Sequence, residues 1–122
     1  MDIPGSVSTF NTGKANIQLA LLADRPHVRL AIGGSLSLDL SYALQRYLTD
    51  LVESLGSGES LVLDLQDVSY ISSTGVGALS NTLMLTHKKN IPLHFRNMQP
   101  KVAGILELLG LLSFFPMEKS GA

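Results

Sequence analysis

Hydrophobic and polar positions alternate in two consecutive stretches of the N-terminal half, NIQLALLAD and HVRLAIGG. A period of two is typical of a strand with one covered face. Asp24, Arg25 and Pro26 separate the stretches and form a polar turn signal, so the pair predicts a β-hairpin. The alternating apolar positions are Ile17, Leu19 and Leu21 in the first stretch, and Val28, Leu30 and Ile32 in the second.

The period then becomes helical. Gly33, Gly34 and Ser35 are predicted to break the second strand, and a helix is predicted from about Leu38 to Leu55, ended by the glycines that follow. Its apolar positions fall on one broad face, which predicts that this face packs on the sheet. These positions are Leu40, Ala43, Leu44, Tyr47, Leu48, Leu51 and Val52.

The second half predicts alternating strands and helices. SLVLDL is a nearly continuous apolar run, which favours a central strand covered on both faces. A second helix is expected to about His87, IPLHFRNM alternates as a strand, and Pro100 suits the start of a third helix. SFFPMEK is predicted to be a last edge strand. Residues 1–14 show no periodicity and are predicted to be a loose lead-in to one domain at 15–118.

The predicted order is therefore β-β-α-β-α-β-α-β. Helices of this length between strands imply parallel crossovers. The fold class is α/β, with a mixed, mostly parallel sheet of about five strands and helices packed on it.

Composition narrows the class of protein. The chain has 122 residues, a formal net charge of -1, only 16% charged residues and no cysteine. The charge argues against a nucleic-acid partner, and a low charged fraction leaves apolar surface for a protein partner. Absence of cysteine excludes disulfides and fits a cytoplasmic location. No apolar run approaches the roughly 20 residues of a membrane span, and the N-terminus lacks the features of a signal peptide.

Three adjacent hydroxyl residues, Ser72, Ser73 and Thr74, stand between the apolar run and the second helix. One of them can serve as a helix N-cap. The surplus leaves open a nucleophile, a phosphate cradle or a site of modification. A phosphate attached here would add about two negative charges at a helix N-terminus, where charge of that sign is tolerated.

Other chemistry is poorly supported. The sequence I-S-S-T-G has a glycine on only one side of the serines, unlike the hydrolase G-x-S-x-G elbow. No glycine-lysine step follows Gly75 or Gly77, as a P-loop would need. His27, His87 and His94 lie in different elements without ligand spacing. We therefore expect no enzyme, no metal and no cofactor.

The segment LVLDLQDVSYISSTGVGAL resembles the signature of STAS domains, and in particular of bacterial anti-sigma factor antagonists. The tail PKVAGILELLGLLSFFPM is similar to the third helix and last strand of that family. The resemblance covers about residues 15 to 118 and implies a single STAS-like domain.

The resemblance implies a partner switch. Ser73 matches the serine that a partner kinase phosphorylates, with Thr74 as a competing acceptor. The kinase would be a histidine-kinase-like ATPase that is also the anti-sigma factor, and a serine phosphatase would reverse the modification. The implied partner-binding residues are Ser35, Ser37, Asp39, Ser72, Ser73, Thr74, Gly75 and Gly77.

Two positions depart from the family pattern. Ser72 stands where the motif usually has Asp, and Ser37 stands where a second acid is usual. These changes keep an alternative open, a STAS module that is never phosphorylated and serves as a scaffold or as a regulatory subunit of a membrane transporter. In neither case does the chain itself insert into the membrane.

Overall fold

The computed structural model describes residues 7–12 and 15–118. One five-stranded sheet runs through this part of the chain, in the spatial order β1-β2-β3-β4-β5. The strands are β1 (Val7–Thr12), β2 (Ala15–Asp24), β3 (His27–Leu36), β4 (Ser60–Ile71) and β5 (Leu93–Arg96). The helices are α1 (Leu38–Ser54), α2 (Ser73–Lys88), α3 (Pro100–Leu108) and a 3₁₀ turn at Leu112–Phe114.

The sheet is mixed in equal parts. β1, β2 and β3 pair antiparallel, whereas β3 pairs parallel with β4 and β4 pairs parallel with β5. The prediction of a mostly parallel sheet is therefore too strong. Each parallel pair is connected through a helix, α1 or α2, as the predicted crossovers require.

The predicted order is wrong at both ends. A strand, β1, lies within the stretch assigned to a loose lead-in. Its sequence VSTFNT shows no period-two pattern, and ladder bonds to β2 define it instead. At the other end, SFFPMEK contributes a 3₁₀ turn and a single bridge between Met117 and Phe95 rather than a strand.

The core lies on one face of the sheet. Leu61, Leu63 and Leu65 of β4 are buried against the helices, whereas Val62 and Asp64 on the other face are only partly covered. The prediction that β4 is covered on both faces is therefore wrong. The apolar face of α1 is buried as expected, and Phe95 of β5 packs on Phe115 with ring centroids 4.9 Å apart.

β3 does not break at its glycines. It continues through Gly33 and Gly34 to Leu36, with register shifts against β4 on either side of this glycine pair. Gly34 has a φ of 103°, which L-residues with side chains rarely adopt. The irregularity lets β3 stay paired with β4 up to Leu36 and Ile71, so both strands end at the same edge of the sheet.

A lysine joins the far ends of α1 and α2. The Lys89 ammonium donates to three carbonyl oxygens at the end of α1, those of Val52 at 2.9 Å, Glu53 at 3.1 Å and Leu55 at 2.8 Å. The last turn of an α-helix leaves most of its carbonyl acceptors without an intrahelical partner, and only the Val52 carbonyl among these three also accepts from a local amide, that of Leu55 at 3.1 Å. Lys89 thus caps α1 and holds it beside α2.

Candidate functional site

The hydroxyl cluster lies where β4 passes into α2, and each of its three residues has a different environment. Ser72 is the N-cap of α2, with extended backbone angles, and its hydroxyl oxygen accepts a hydrogen bond from the Gly75 amide at 3.1 Å. The Ser72 and Thr74 hydroxyl oxygens are 2.9 Å apart, and one of the two hydroxyls donates a hydrogen bond to the other. Both residues are partly buried.

Ser73 is different from its neighbours. It is the first residue of α2, its side chain is exposed, and its hydroxyl forms no hydrogen bond within the described residues. The first turn of α2 carries no acidic residue. Negative charge on Ser73 would therefore meet the partial positive charge of a helix N-terminus without a competing carboxylate in that turn.

The end of β3 lies directly beside this cluster. The Ser72 amide donates to the Leu36 carbonyl over 2.9 Å, which extends the parallel pairing of the two strands by one bond. Ser37, the N-cap of α1, follows Leu36, so the starts of both helices are adjacent. Ser35 pairs with Tyr70 within the same irregular stretch. Asp39 lies in the first turn of α1, and its side chain is outside the described part of the structure.

The two N-caps are not equivalent. Ser72 caps α2 through its side chain, whereas the Ser37 side chain makes no capping bond to α1. The Ser37 hydroxyl is buried and has no hydrogen-bond partner in the described structure. Instead, the Ser37 carbonyl accepts from the Ser41 hydroxyl at 2.6 Å.

The glycines of the motif also have separate roles. Gly75 is buried, and a Cβ atom there would lie 2.9 Å from Ile71 Cγ1 and 3.0 Å from the Leu36 carbonyl oxygen. Gly77 is exposed, and a Cβ there would meet nothing within 4 Å. Gly75 therefore lets α2 pack against the ends of β3 and β4, and only Gly77 faces outward.

A groove runs along the outer surface between α1 and α2, with Ser73 at one end. Its volume is about 510 Å³. Tyr42 and Met84 form its most exposed apolar walls, at 70% and 57% exposure. The lining contains no carboxylate, imidazole, ammonium or guanidinium group, and consists of Ser41, Tyr42, Gln45, Ser73, Thr74, Gly77, Ser80, Asn81 and Met84.

The α1 wall of this groove does not appear among the residues predicted from the sequence. Tyr42 is the signal that could have identified it, because a tyrosine off the apolar face of an amphipathic helix is an exposed aromatic.

The histidines remain separate, with His27 beside Ser60 at 3.0 Å, His87 on α2 and His94 on β5. Within residues 7–12 and 15–118, no three acidic or histidine side chains gather as metal ligands. None of the described helices has the length and apolar character of a membrane span.

Comparison with known proteins agrees with this fold. The STAS domain family matches residues 14–121, and the chain belongs to that family. The anti-sigma-B factor antagonist of Bacillus subtilis (strain 168) is 26% identical over 96 residues, which cover 79% of this chain and 85% of that protein.

Solved structures with the same fold include further anti-sigma factor antagonists. One from Mycobacterium paratuberculosis is 20% identical with a TM-score of 0.71, covering 99% of this chain and 92% of that chain. The phosphorylated form of the Bacillus cell fate determinant SpoIIAA is 14% identical with a TM-score of 0.63, covering 84% of this chain and 92% of that chain. The chain therefore resembles anti-sigma factor antagonists in both sequence and fold, and these relatives are regulators by name.

Proposed function

We propose that this chain is a partner-switching regulator of the anti-sigma factor antagonist type. In its unmodified form it binds a serine kinase of the histidine-kinase-like ATPase type, which is also the anti-sigma factor. Phosphorylation of Ser73 ends that complex, and a serine phosphatase restores it. The reaction uses ATP held by the kinase, so the switch operates in the cytoplasm, and the chain is the substrate rather than an enzyme.

The observation that carries this proposal is the position of Ser73. Its hydroxyl is exposed and unbonded within the described structure, and it lies at the end of an uncharged groove. A phosphate would bring about two negative charges to the rim of that groove. A partner docked there would have to exclude water from those charges without a cation from this chain's groove to compensate. Modification is therefore expected to disfavour docking strongly.

The remaining predicted residues form the rest of the proposed docking surface. Ser35, Ser37 and Asp39 lie at the end of β3 and the start of α1, next to Ser72, Ser73 and Thr74. Gly77 faces outward and gives the partner access to the α2 backbone. Gly75 supports the surface from below and is not itself available for contact.

The test is affinity capture from the native cell with wild-type, Ser73→Ala and Ser73→Asp baits, followed by mass spectrometry. Ser73→Asn controls for side-chain size without charge. Ser57→Asp places the same charge at an exposed serine beyond the C-terminus of α1, at the opposite edge of the sheet. We expect an ATPase-type kinase on every bait except Ser73→Asp. The affinity of the purified kinase for Ser73→Asp should be at least tenfold lower than its affinity for wild type, which corresponds to about 1.4 kcal/mol of binding free energy.

A second candidate is a STAS module that is never phosphorylated and acts as a scaffold or as a regulatory subunit of a membrane transporter. The hydroxyl residues at positions 37 and 72 favour it, because the family pattern has acids there. The same capture experiment distinguishes the two functions. If every bait, including Ser73→Asp, retains the same transporter or scaffold protein, Ser73 is not a switch and the second candidate is correct.

A further inference from the structure

We infer that Ser72 is a positioning residue that confines phosphate transfer to Ser73 by holding the hydroxyl of Thr74. The inference rests on the proposed function, since it concerns the choice of acceptor within the same site. Three hydroxyl groups stand in sequence at the start of α2 and are chemically similar acceptors, so a feature of their arrangement must distinguish them.

The hydrogen bonds of the cluster provide that feature. Thr74 Oγ1 lies 2.9 Å from Ser72 Oγ, and the same Ser72 oxygen accepts from the Gly75 amide at 3.1 Å. If Ser72 is the donor, a lone pair of Thr74 is occupied. If Thr74 is the donor, its proton is held. In both arrangements the Thr74 hydroxyl is engaged in a partly buried position, so turning toward a docked kinase costs it this hydrogen bond.

The Ser73 hydroxyl is exposed and forms no hydrogen bond in the described structure, so neither a bond nor burial restricts it. In the transfer, Ser73 Oγ forms a bond to the γ-phosphorus of ATP on the kinase, and the bond from that phosphorus to the bridging oxygen of ADP breaks. The proton of the hydroxyl passes to a base of the kinase. Ser72 is itself a poor acceptor, because its oxygen is partly buried and caps the helix.

Substitution of residue 72 tests whether its side chain governs which hydroxyl is phosphorylated. An alanine accepts neither bond, whereas an aspartate accepts from both the Gly75 amide and the Thr74 hydroxyl. Ser72→Asp is therefore the conservative rescue of Ser72→Ala. The net free energy of an ordinary hydrogen bond, about 1 kcal/mol, corresponds to about a fivefold preference for phosphorylation of one hydroxyl over the other.

The experiment is phosphosite mapping of the tagged chain, purified from its native cell, by fragmentation mass spectrometry. We expect wild type to carry phosphate on Ser73. The ratio of Thr74 to Ser73 phosphate should rise about fivefold in Ser72→Ala and return to the wild-type ratio in Ser72→Asp. With Ser73→Ala as background, Thr74 should be modified in the Ser72→Ala double variant and about fivefold less in the Ser72→Asp double variant.

A ratio that does not change in Ser72→Ala, with Ser73 phosphorylated, overturns this inference alone. A wild type that carries no phosphate in cells containing the kinase overturns the proposed function, and the acceptor choice with it. NMR coupling constants of the Thr74 side chain give a measurement that needs no kinase. One rotamer is expected in wild type and in Ser72→Asp, and averaging in Ser72→Ala. Averaged rotamers in wild type would overturn the inference whatever the mapping shows.

Discussion

The Ser72 amide donates a hydrogen bond to the Leu36 carbonyl over 2.9 Å, and this bond joins the start of α2 to the end of β3. Parallel strands end at the same edge of a sheet. Here that geometry places the N-caps of both helices, Ser37 and Ser72, beside the exposed Ser73. The proposed switch therefore lies at the ends of β3, the central strand of the sheet, and of its neighbour β4.

The first prediction concerns the two glycines of the motif. Gly75→Ala should destabilise the fold by about 1–3 kcal/mol, because the new methyl group would lie 2.9 Å from Ile71 Cγ1 and 3.0 Å from the Leu36 carbonyl oxygen. Gly77→Ala is the matched control and should stabilise by about 0.5–1 kcal/mol, since alanine favours the helix and nothing obstructs it. Urea unfolding measures both. Equal effects at the two positions would contradict this packing.

The second prediction compares the two N-caps. Ser72→Ala should cost about 1 kcal/mol, because the Gly75 amide loses its acceptor. Ser37→Ala should change stability by less than about 0.5 kcal/mol, since the Ser37 hydroxyl makes no capping bond and is buried without a partner in the described structure. Thermal and urea unfolding of the two variants provide the comparison. A larger loss for Ser37→Ala would show that the Ser37 hydroxyl is bonded in solution.

The third prediction concerns the binding surface. Tyr42→Ala should lower the affinity for the captured partner at least tenfold, because exposed aromatic side chains in a groove are typical anchors of protein interfaces. Leu22→Ala removes a comparably exposed apolar side chain from β2, outside the groove, and should leave affinity unchanged. Unfolding midpoints of both variants should confirm intact folds. Equal binding of the two variants would place the interface elsewhere.

The fourth prediction concerns pH. The Gly56 amide donates to Glu59 at 2.6 Å, and the Arg25 guanidinium pairs with the same carboxylate. Together these contacts lower the pKa of Glu59 in the folded chain from its ordinary value of 4.5. The resulting stabilisation is complete above the unfolded pKa and is lost as pH falls through the folded pKa.

Glu59→Gln should remove this dependence. The difference in urea midpoint between wild type and Glu59→Gln should be largest near pH 6 and should shrink as pH falls below about 4. Glu53→Gln is the control, because Glu53 is an exposed glutamate near the same end of α1. A difference that grows on acidification would mean that Glu59 is not stabilised in its charged form.

Sequence periodicity correctly predicts the strands and helices that have one face buried in the core. The alternation of β2 and β3, the apolar face of α1 and the proline at the start of α3 all have the expected positions. β1 could not be found in this way, because a Ser- and Thr-rich edge strand is defined by its pairing to β2 rather than by a pattern of its own. Likewise, nothing local shows that β3 remains paired with β4 through its two glycines.

The candidate site was predicted as a set of residues but not as an arrangement. The motif identifies Ser72, Ser73 and Thr74, but their separate environments depend on where α2 begins and on what Leu36 and Ile71 place beneath it. The same is true of Gly75 and Gly77, whose opposite orientations follow from helix phase and packing. The contribution of α1 through Tyr42 depends on tertiary contact between two helices.

The Lys89 cap has a consequence for how quickly the chain can engage a partner. The walls of the groove are fixed near Ser73 by the bond to Leu36 and at their far ends by the Lys89 ammonium. A groove held at both ends has little conformational freedom to lose, so docking at the proposed surface would cost this chain little entropy. The rate of binding at the proposed surface is then expected to depend on diffusion and orientation rather than on rearrangement. In the proposed switch, removal of the phosphate would leave a groove that can bind again without refolding any of its parts.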